Sequence, residues 1–311
     1  MYKEKRISRS EFVPIRGLSY HVQIWQNPAQ NDSNLPPLVL VHGWMDVAAS
    51  YQFMIDAFSD AFAQGRTIIA PDWRGFGRTA SGASAVPADS YWFPDYLADL
   101  DFLLDHYTKD QPVDLVGHSM GGNVAMMYAG VRPGRIRRLV NLEGFGLPAS
   151  RPAQAPGRYA KWMDELKSLQ RGEMDLKAYG DVGGVAKRLM KTNPRLTPDK
   201  ANWLASHWAQ PDTSGKWRIL GETAHKLSSA NVYRADETLE LYKRISAPVL
   251  AVEASDDSLA KWQLGSYSLA EYHERLQLIP RADVAVIQDA GHMLHHDQPE
   301  QLARLIEDFL N

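Results

Sequence analysis

Short, largely apolar runs recur along this chain, each followed by a stretch of helical periodicity. The first, PPLVLVHG at 36–43, ends at Gly43. A run that is apolar on every position marks a strand covered on both faces. Tyr51, Met54, Ile55, Phe58 and Phe62 follow at helical spacing and predict a helix within 48–63. The theme repeats: RTIIAPDWRGFG (66–77) reads as a strand ending in a glycine-containing loop, and Tyr96, Leu97, Leu100, Leu103 and Leu104 mark a helix. VDLVGHS (113–119) is the next strand, NVAMMYAGV (123–131) the next helix, and IRRLVNLEGFG a further strand with its loop. Alternation at roughly 30–40-residue spacing argues for βαβ units and a parallel sheet. Ahead of these units, residues 11–25 alternate around Val13, Ile15, Tyr20, Val22 and Ile24, with a turn at Arg16-Gly17, the signature of a hairpin.

From Pro148 to Ser246 the pattern changes: four tryptophans (Trp162, Trp203, Trp208 and Trp217) lie among charged, helix-favouring segments, and no strand is evident. The strand pattern resumes in APVLAVEASDD (247–257) and ADVAVIQDAGH (282–292), and QPEQLARLIEDFL (298–310) closes the chain as an amphipathic helix. The expected fold class is therefore α/β, a doubly wound, mostly parallel sheet. Its core spans 1–147 and 247–311, with a helical insert at 148–246. SGASAVPADS (81–90) reads as a loop.

Composition narrows the function more than the fold. The 311 residues are 44% apolar and 23% charged, with a formal net charge of −3, so neither nucleic acid nor an anionic membrane is an expected partner. Cysteine is absent, which removes disulfides, thiolate nucleophiles and thiolate metal sites together. The first residues lack the apolar core of a signal peptide, and no apolar run approaches the ~20 residues of a membrane helix. A cytoplasmic protein acting on a small molecule is the expectation. Neither a phosphate-binding G-x-x-x-x-G-K-[ST] nor a strand-led G-x-G-x-x-G occurs, and no cofactor or metal is expected.

The chemistry concentrates at Gly117-His118-Ser119-Met120-Gly121, a G-x-S-x-G set between a predicted strand and a predicted helix. A serine hydroxyl attacks only when a base takes its proton and donors receive the developing oxyanion. Glycines two before and two after the serine let backbones approach closely, so a tight turn can hold Oγ above the sheet. His292, just past the last predicted strand, is the candidate base, because loops at the carboxyl ends of parallel strands meet along one edge. The carboxylate that orients the imidazole has three candidates: Asp257 is the first choice, its neighbour Asp256 and Glu143 in NLEGFG the alternatives, and chain order admits all three. Backbone N–H groups of Met120 and Trp44 are the expected oxyanion donors. Asp46 precedes an apolar-periodic segment and reads as a helix cap. His42, His118, His295 and His296 read as structural.

These motifs, HGW at 42–44, DWRGFG at 72–77, GHSMGG at 117–122 and DAGHMLHHDQP at 289–299, resemble the α/β-hydrolase superfamily over essentially the whole chain. The resemblance implies an eight-stranded sheet with the insert as a cap, Ser119 as nucleophile and His292 as base. In many relatives the acid stands nine residues after the proline of a PVL strand, which lands on Asp257; other branches carry it after the strand before the cap, where Glu143 stands. Relatives with dehalogenase or epoxide hydrolase activity use an aspartate nucleophile, and position 119 is serine. Carbon–carbon bond hydrolases commonly have Asn at the position of His118. A cap rich in aromatic residues implies an enclosed apolar pocket, with Trp203, Trp208 and Tyr233 as candidate walls and Trp217 and Tyr159 behind them. Small to medium esters, thioesters or lactones fit such a pocket. Carbon–carbon hydrolysis, perhydrolysis on the same triad, or a non-catalytic small-molecule receptor are the alternatives.

Overall fold

A computed structural model describes residues 2–26, 35–79, 88–263 and 265–311; most of the loop expected at 81–90 lies outside them. Eight strands form one sheet: β1 (Arg9–Ile15), β2 (Leu18–Trp25), β3 (Leu38–Val41), β4 (Ile68–Pro71), β5 (Val113–His118) and β6 (Ile136–Leu142), then β10 (Val249–Ala254) and β11 (Ala282–Ile287). Three short strands lie between in sequence: β7 (Ala178–Tyr179), β8 (Ala209–Pro211) and β9 (Trp217–Ile219). The order across the main sheet is β1-β2-β4-β3-β5-β6-β10-β11. β1 and β2 pair antiparallel, as do β2 and β4, and every other pairing is parallel.

The expected hairpin is β1–β2. Its turn residues Arg16 and Gly17 have φ of 48° and 80°, the doubly positive pair of a type I′ turn, whose twist matches that of the strands it joins. In the central strands successive side chains enter opposite layers. Val39 and Val41 pack with the helices Pro94–Thr108 and Met120–Val131, while Leu38 and Leu40 pack with Met54, Ile55 and the closing helix Pro299–Leu310. Such strands have no polar face to show, and this is why their sequences read as unbroken apolar runs. The helix expected within 48–63 is broken: a 3-10 turn at Ala48–Tyr51 leads into Gln52–Ala57, Phe58 leaves helical geometry, and Ser59 caps a separate turn at Asp60–Ala63.

The insert is not purely helical. Beside the helices Ala155–Gln170, Val182–Thr192 and Pro198–Trp208 it contains a small antiparallel sheet, β7-β9-β8. These strands have two or three residues each, too few for alternation to register in sequence. Val185, Ala186, Leu204 and Ala205 pack onto Val47, Ala49 and Phe53, which anchors the insert to the loop after β3. The last helix of the segment, Ala235–Tyr242, lies instead on the Met120–Val131 helix, so close that a Cβ on Gly130 would sit 2.3 Å from the Leu241 carbonyl oxygen. Packing thus joins it to the core layer, inside the expected boundary at 246. Among the described residues no helix is long and apolar enough to cross a membrane.

Candidate active site

The carboxyl ends of β3, β5, β6, β10 and β11 bring the candidate residues to one edge of the sheet. Ser119 follows β5 immediately with φ 52° and ψ −114°, a conformation a non-glycine residue adopts only under constraint. The constraint is visible. A Cβ on Gly117 would lie 2.4 Å from the Gly121 carbonyl oxygen, and one on Gly121 would lie 2.1 Å from that of Val41. Strand, turn and helix therefore pack backbone to backbone, and the Ser119 N–H is held by the Leu142 carbonyl at 2.8 Å. Ser119 occupies the N-cap position of the 12-residue helix Met120–Val131 without capping it through its side chain, so the hydroxyl is not used in helix capping. The first N–H groups of a helix have no intrahelical acceptor and carry partial positive charge. Met120 N–H is one of them.

Gly43, at the end of the HG turn, comes so near that a Cβ there would be 3.2 Å from Ser119 Cβ. This places the Gly43-Trp44 segment beside the serine, where the second donor was expected. His42 holds the segment from below: its Nε2 accepts from Trp73 N–H at 2.9 Å, and its carbonyl accepts from the Trp73 indole at 3.0 Å. Asp46 does not cap the following turn, whose N-cap is Val47; it is buried instead.

The imidazole of His292 reaches a carboxylate, and that carboxylate is Glu143. His292 Nδ1 is 3.3 Å from Glu143 Oε2, and Glu143 Oε1 accepts from Ala254 N–H at 2.7 Å. Glu143, itself at φ 55° just after β6, is 3% exposed. Burial pushes its carboxyl pKa up, against the Ala254 and Ser258 hydrogen bonds that favour the charged form. Burial likewise pulls the His292 pKa down, so the imidazole rests neutral, the form that accepts a proton. The structure does not bring Asp257 to this point. Asp257 is exposed and accepts from Ala260 N–H at 2.8 Å at the start of the helix Ser258–Gln263. Asp256 is paired with Arg195 and Lys261. The two aspartates lie where the β10 chain turns outward, whereas the left-handed kink at Glu143 turns its side chain inward. That kink is invisible in sequence, since glutamate carries no signal for positive φ.

Ser119 and His292 line one cavity of about 440 Å³, with Gly43, Trp44 and Met45 on the core side and Leu189, Leu196, Leu204 and Trp208 from the insert. No direct hydrogen bond joins Ser119 to the imidazole among the described residues; such contacts commonly tighten only around substrate. Trp262 stands edge-on to the His292 ring at 4.0 Å between centroids and also lines the cavity. The sequence reading missed it, because its helix, Ser258–Gln263, is one short turn without periodicity. Of the expected walls, only Trp208 is in place. Trp203 packs against Tyr2 and Phe53 with ring centroids 5.6 and 5.5 Å away. Tyr233 has its hydroxyl near Gly146 and its main chain paired with Ser150, outside the lining. Trp217 belongs to β9, and Tyr159 is exposed. Leu189, with Arg188 and Thr192 beside it, supplies wall from Val182–Thr192 in their place.

This geometry has close counterparts. A thioesterase domain from a curacin biosynthetic pathway superposes with a TM-score of 0.78 at 25% identity, covering 96% of this chain and 99% of the other. In sequence, the chain is 27% identical to 2-hydroxymuconate semialdehyde hydrolase of Pseudomonas putida, over 88% of this chain and 86% of the relative. It is 28% identical to epoxide hydrolase 2 of Siraitia grosvenorii, over 88% and 92%. The profile of the alpha/beta hydrolase fold family matches residues 36–299. With its eight-stranded sheet and the serine turn after β5, the chain is a member of the alpha/beta hydrolase fold family.

Proposed function

We propose that the protein is a serine hydrolase of small to medium carboxylic esters, thioesters or lactones, acting through an acyl-enzyme on Ser119. The observation that supports this most is the pairing of a serine at φ 52° with a buried Glu143–His292 hydrogen bond, both on one apolar cavity. In this reading His292 Nε2 takes the Ser119 proton as Oγ attacks the carbonyl carbon. Glu143 holds Nδ1–H and offsets the positive charge that then forms on a ring whose burial opposes it. Met120 N–H and Trp44 N–H receive the oxyanion. Collapse expels the alkoxide or thiolate, protonated by the imidazolium, and water repeats the sequence in reverse to release the acid. Each step uses protein groups alone. The cavity volume fits acyl chains of modest length better than polymers.

The test is hydrolysis of p-nitrophenyl acetate and butyrate with labelling by a fluorophosphonate probe. Turnover of both esters and a single adduct on Ser119 are expected. Labelling of a different serine, or no turnover of any ester, thioester or lactone in a panel, overturns the reading. A second reading, carbon–carbon bond hydrolysis on the same residues, is favoured by the likeness to the muconate semialdehyde hydrolase. Rates on a ring-fission dienoate separate the two: faster cleavage of the dienoate than of any ester selects the second.

A further inference from the structure

At the floor of the cavity lies a second set of polar side chains, not used in the reaction. Asp46 descends from the loop after β3, His118 ends β5, and His295 stands on the short helix Leu294–Asp297. They are 6%, 2% and 0% exposed. One ligand-capable atom of each lies within 4.8 Å of those of the other two. Asp46 Oδ2, His118 Nδ1 and His295 Nδ1 all lack a hydrogen-bond partner, which is unfavourable for buried polar atoms. His295 turns its Nε2 toward Asp46, 3.9 Å from Oδ2, and three such side chains meeting in one small buried volume leave room for something that binds lone pairs.

The protonation states agree. His118 Nε2 is 2.8 Å from the His292 carbonyl oxygen, which only accepts, so the proton sits on Nε2 and the lone pair on Nδ1. An N–H to a backbone carbonyl is the bond that commonly orients a metal-ligating imidazole. Burial drives the pKa of both His118 and His295 well below the usual value, with neighbouring histidines adding to the shift. Both rings are therefore neutral, the form that ligates. Two imidazoles and one carboxylate suit borderline divalent ions such as Zn²⁺, Co²⁺ and Ni²⁺. Asp46 and His118 also line the cavity, so a remaining coordination position faces substrate space.

We propose that Asp46, His118 and His295 form a binding site for a divalent transition cation of the zinc class, and that its occupation slows the reaction at Ser119. The second half rests on the function proposed above. Asp46 and His118 line the same cavity as Ser119 and His292, so an ion held there takes up space beside the hydroxyl that a bound ester would need.

The test is titration of the full chain with Co²⁺ in metal-free buffer, read by visible ligand-field absorption, with Zn²⁺ as competitor. The expected result is saturation at one equivalent and displacement by Zn²⁺. Asp46→Asn and His295→Gln, each checked for folding by circular dichroism, are expected to weaken binding by more than the roughly 10–100-fold that loss of an outer-shell partner costs. Glu143→Gln is expected to retain it. No saturable band in the wild type, bands that persist in both cluster variants, or an ordinary water at the cluster in a crystal grown with Zn²⁺ would overturn the site. Saturating Zn²⁺ is expected to cut p-nitrophenyl butyrate hydrolysis by roughly tenfold or more; undiminished turnover with binding intact overturns the coupling. Because the absorption requires no turnover, a protein that binds Co²⁺ yet hydrolyses nothing refutes the Ser119 reading and leaves the metal site standing.

Discussion

Two chains of serine, histidine and carboxylate occur in this molecule, and they share little beyond residue type. On the hairpin, Asp72 Oδ2 lies 2.7 Å from His21 Nδ1, and His21 Nε2 lies 2.5 Å from Ser10 Oγ. As an inventory of bonds this is more complete than Glu143, His292 and Ser119. Its surroundings point elsewhere. Ser10 sits in a regular strand, paired with Gln23 across the β1–β2 ladder. Arg78 Nη1 stands 3.2 Å from its Oγ and 3.3 Å from His21 Nε2, so a fixed guanidinium already occupies the space beside the hydroxyl. Asp72 is committed to the backbone as well, accepting from Ala48 N–H at 2.7 Å and Arg78 N–H at 2.8 Å. Ser119, in contrast, is pushed out on a left-handed turn at the head of a helix, over an apolar cavity. The hairpin set ties a hairpin to a loop, whereas the Ser119 set presents a hydroxyl. A triad is defined by where its oxygen points and what receives the oxyanion, not by the residues that compose it.

The sharpest break of this comparison is Ser119→Ala beside Ser10→Ala. The first is expected to lower kcat on p-nitrophenyl butyrate by roughly 10⁴-fold or more, the second to leave it within about twofold; a reversed outcome would move the active site to the hairpin. Glu143→Gln comes next, with an expected loss of about 10⁴-fold in kcat. Asp257→Asn is expected to change kcat by no more than a few-fold, because its carboxylate serves a helix start. Equal losses in both variants would return the acid role to the β10 loop.

Trp208→Ala is expected to shift relative kcat/KM between acetate and hexanoate esters by roughly tenfold, while Trp203→Ala leaves that ratio unchanged and lowers stability instead. An unaltered chain-length profile in Trp208→Ala would remove the insert from the binding wall.

Asp72→Asn tests the hairpin side. Burial alone would raise the Asp72 pKa, but the hydrogen bond and charge of His21, the charge of His42 and the Ala48 N–H together bring it below its ordinary value of 3.8. A depressed carboxylate stabilises the fold above its unfolded pKa and ceases to do so as pH falls through the folded one. The variant is therefore expected to lose roughly 3–5 kcal/mol at pH 7, and the part of that deficit carried by the depressed pKa is expected to fall away below about pH 4. Chemical denaturation at pH 7 and pH 3 measures both. A deficit that is constant with pH would show that packing, not charge, is lost. Ser10→Ala has the smallest expected effect on stability, about 1 kcal/mol or less.

Much of this could be read before any coordinates. The largely apolar runs at 38–41, 113–118 and 249–254 are strands because a strand covered on both faces leaves few polar positions, a property local enough to survive in one dimension. Gly117 and Gly121 announced the turn at Ser119 for a similar reason, since a close backbone approach restricts the residue type itself. Glu143 was harder. Its role depends on a positive φ that glutamate does not signal and on the Ala254 N–H, 111 positions away in the chain. Trp203 and Trp208 lie on one helix, and only the placement of Phe53 and Tyr2 decides that the first faces packing and the second the cavity.

Local rules, then, settled the order of strands and helices, the position of the serine turn and the family. They act between neighbours in the chain, where backbone sterics and the pairing of apolar faces leave few choices. The identity of the carboxylate behind His292, the walls of the cavity and the meeting of Asp46, His118 and His295 were decided by tertiary structure alone. Each depends on which side chains from distant segments fall within 3 to 5 Å of one another, and that distance is set by packing whole layers together.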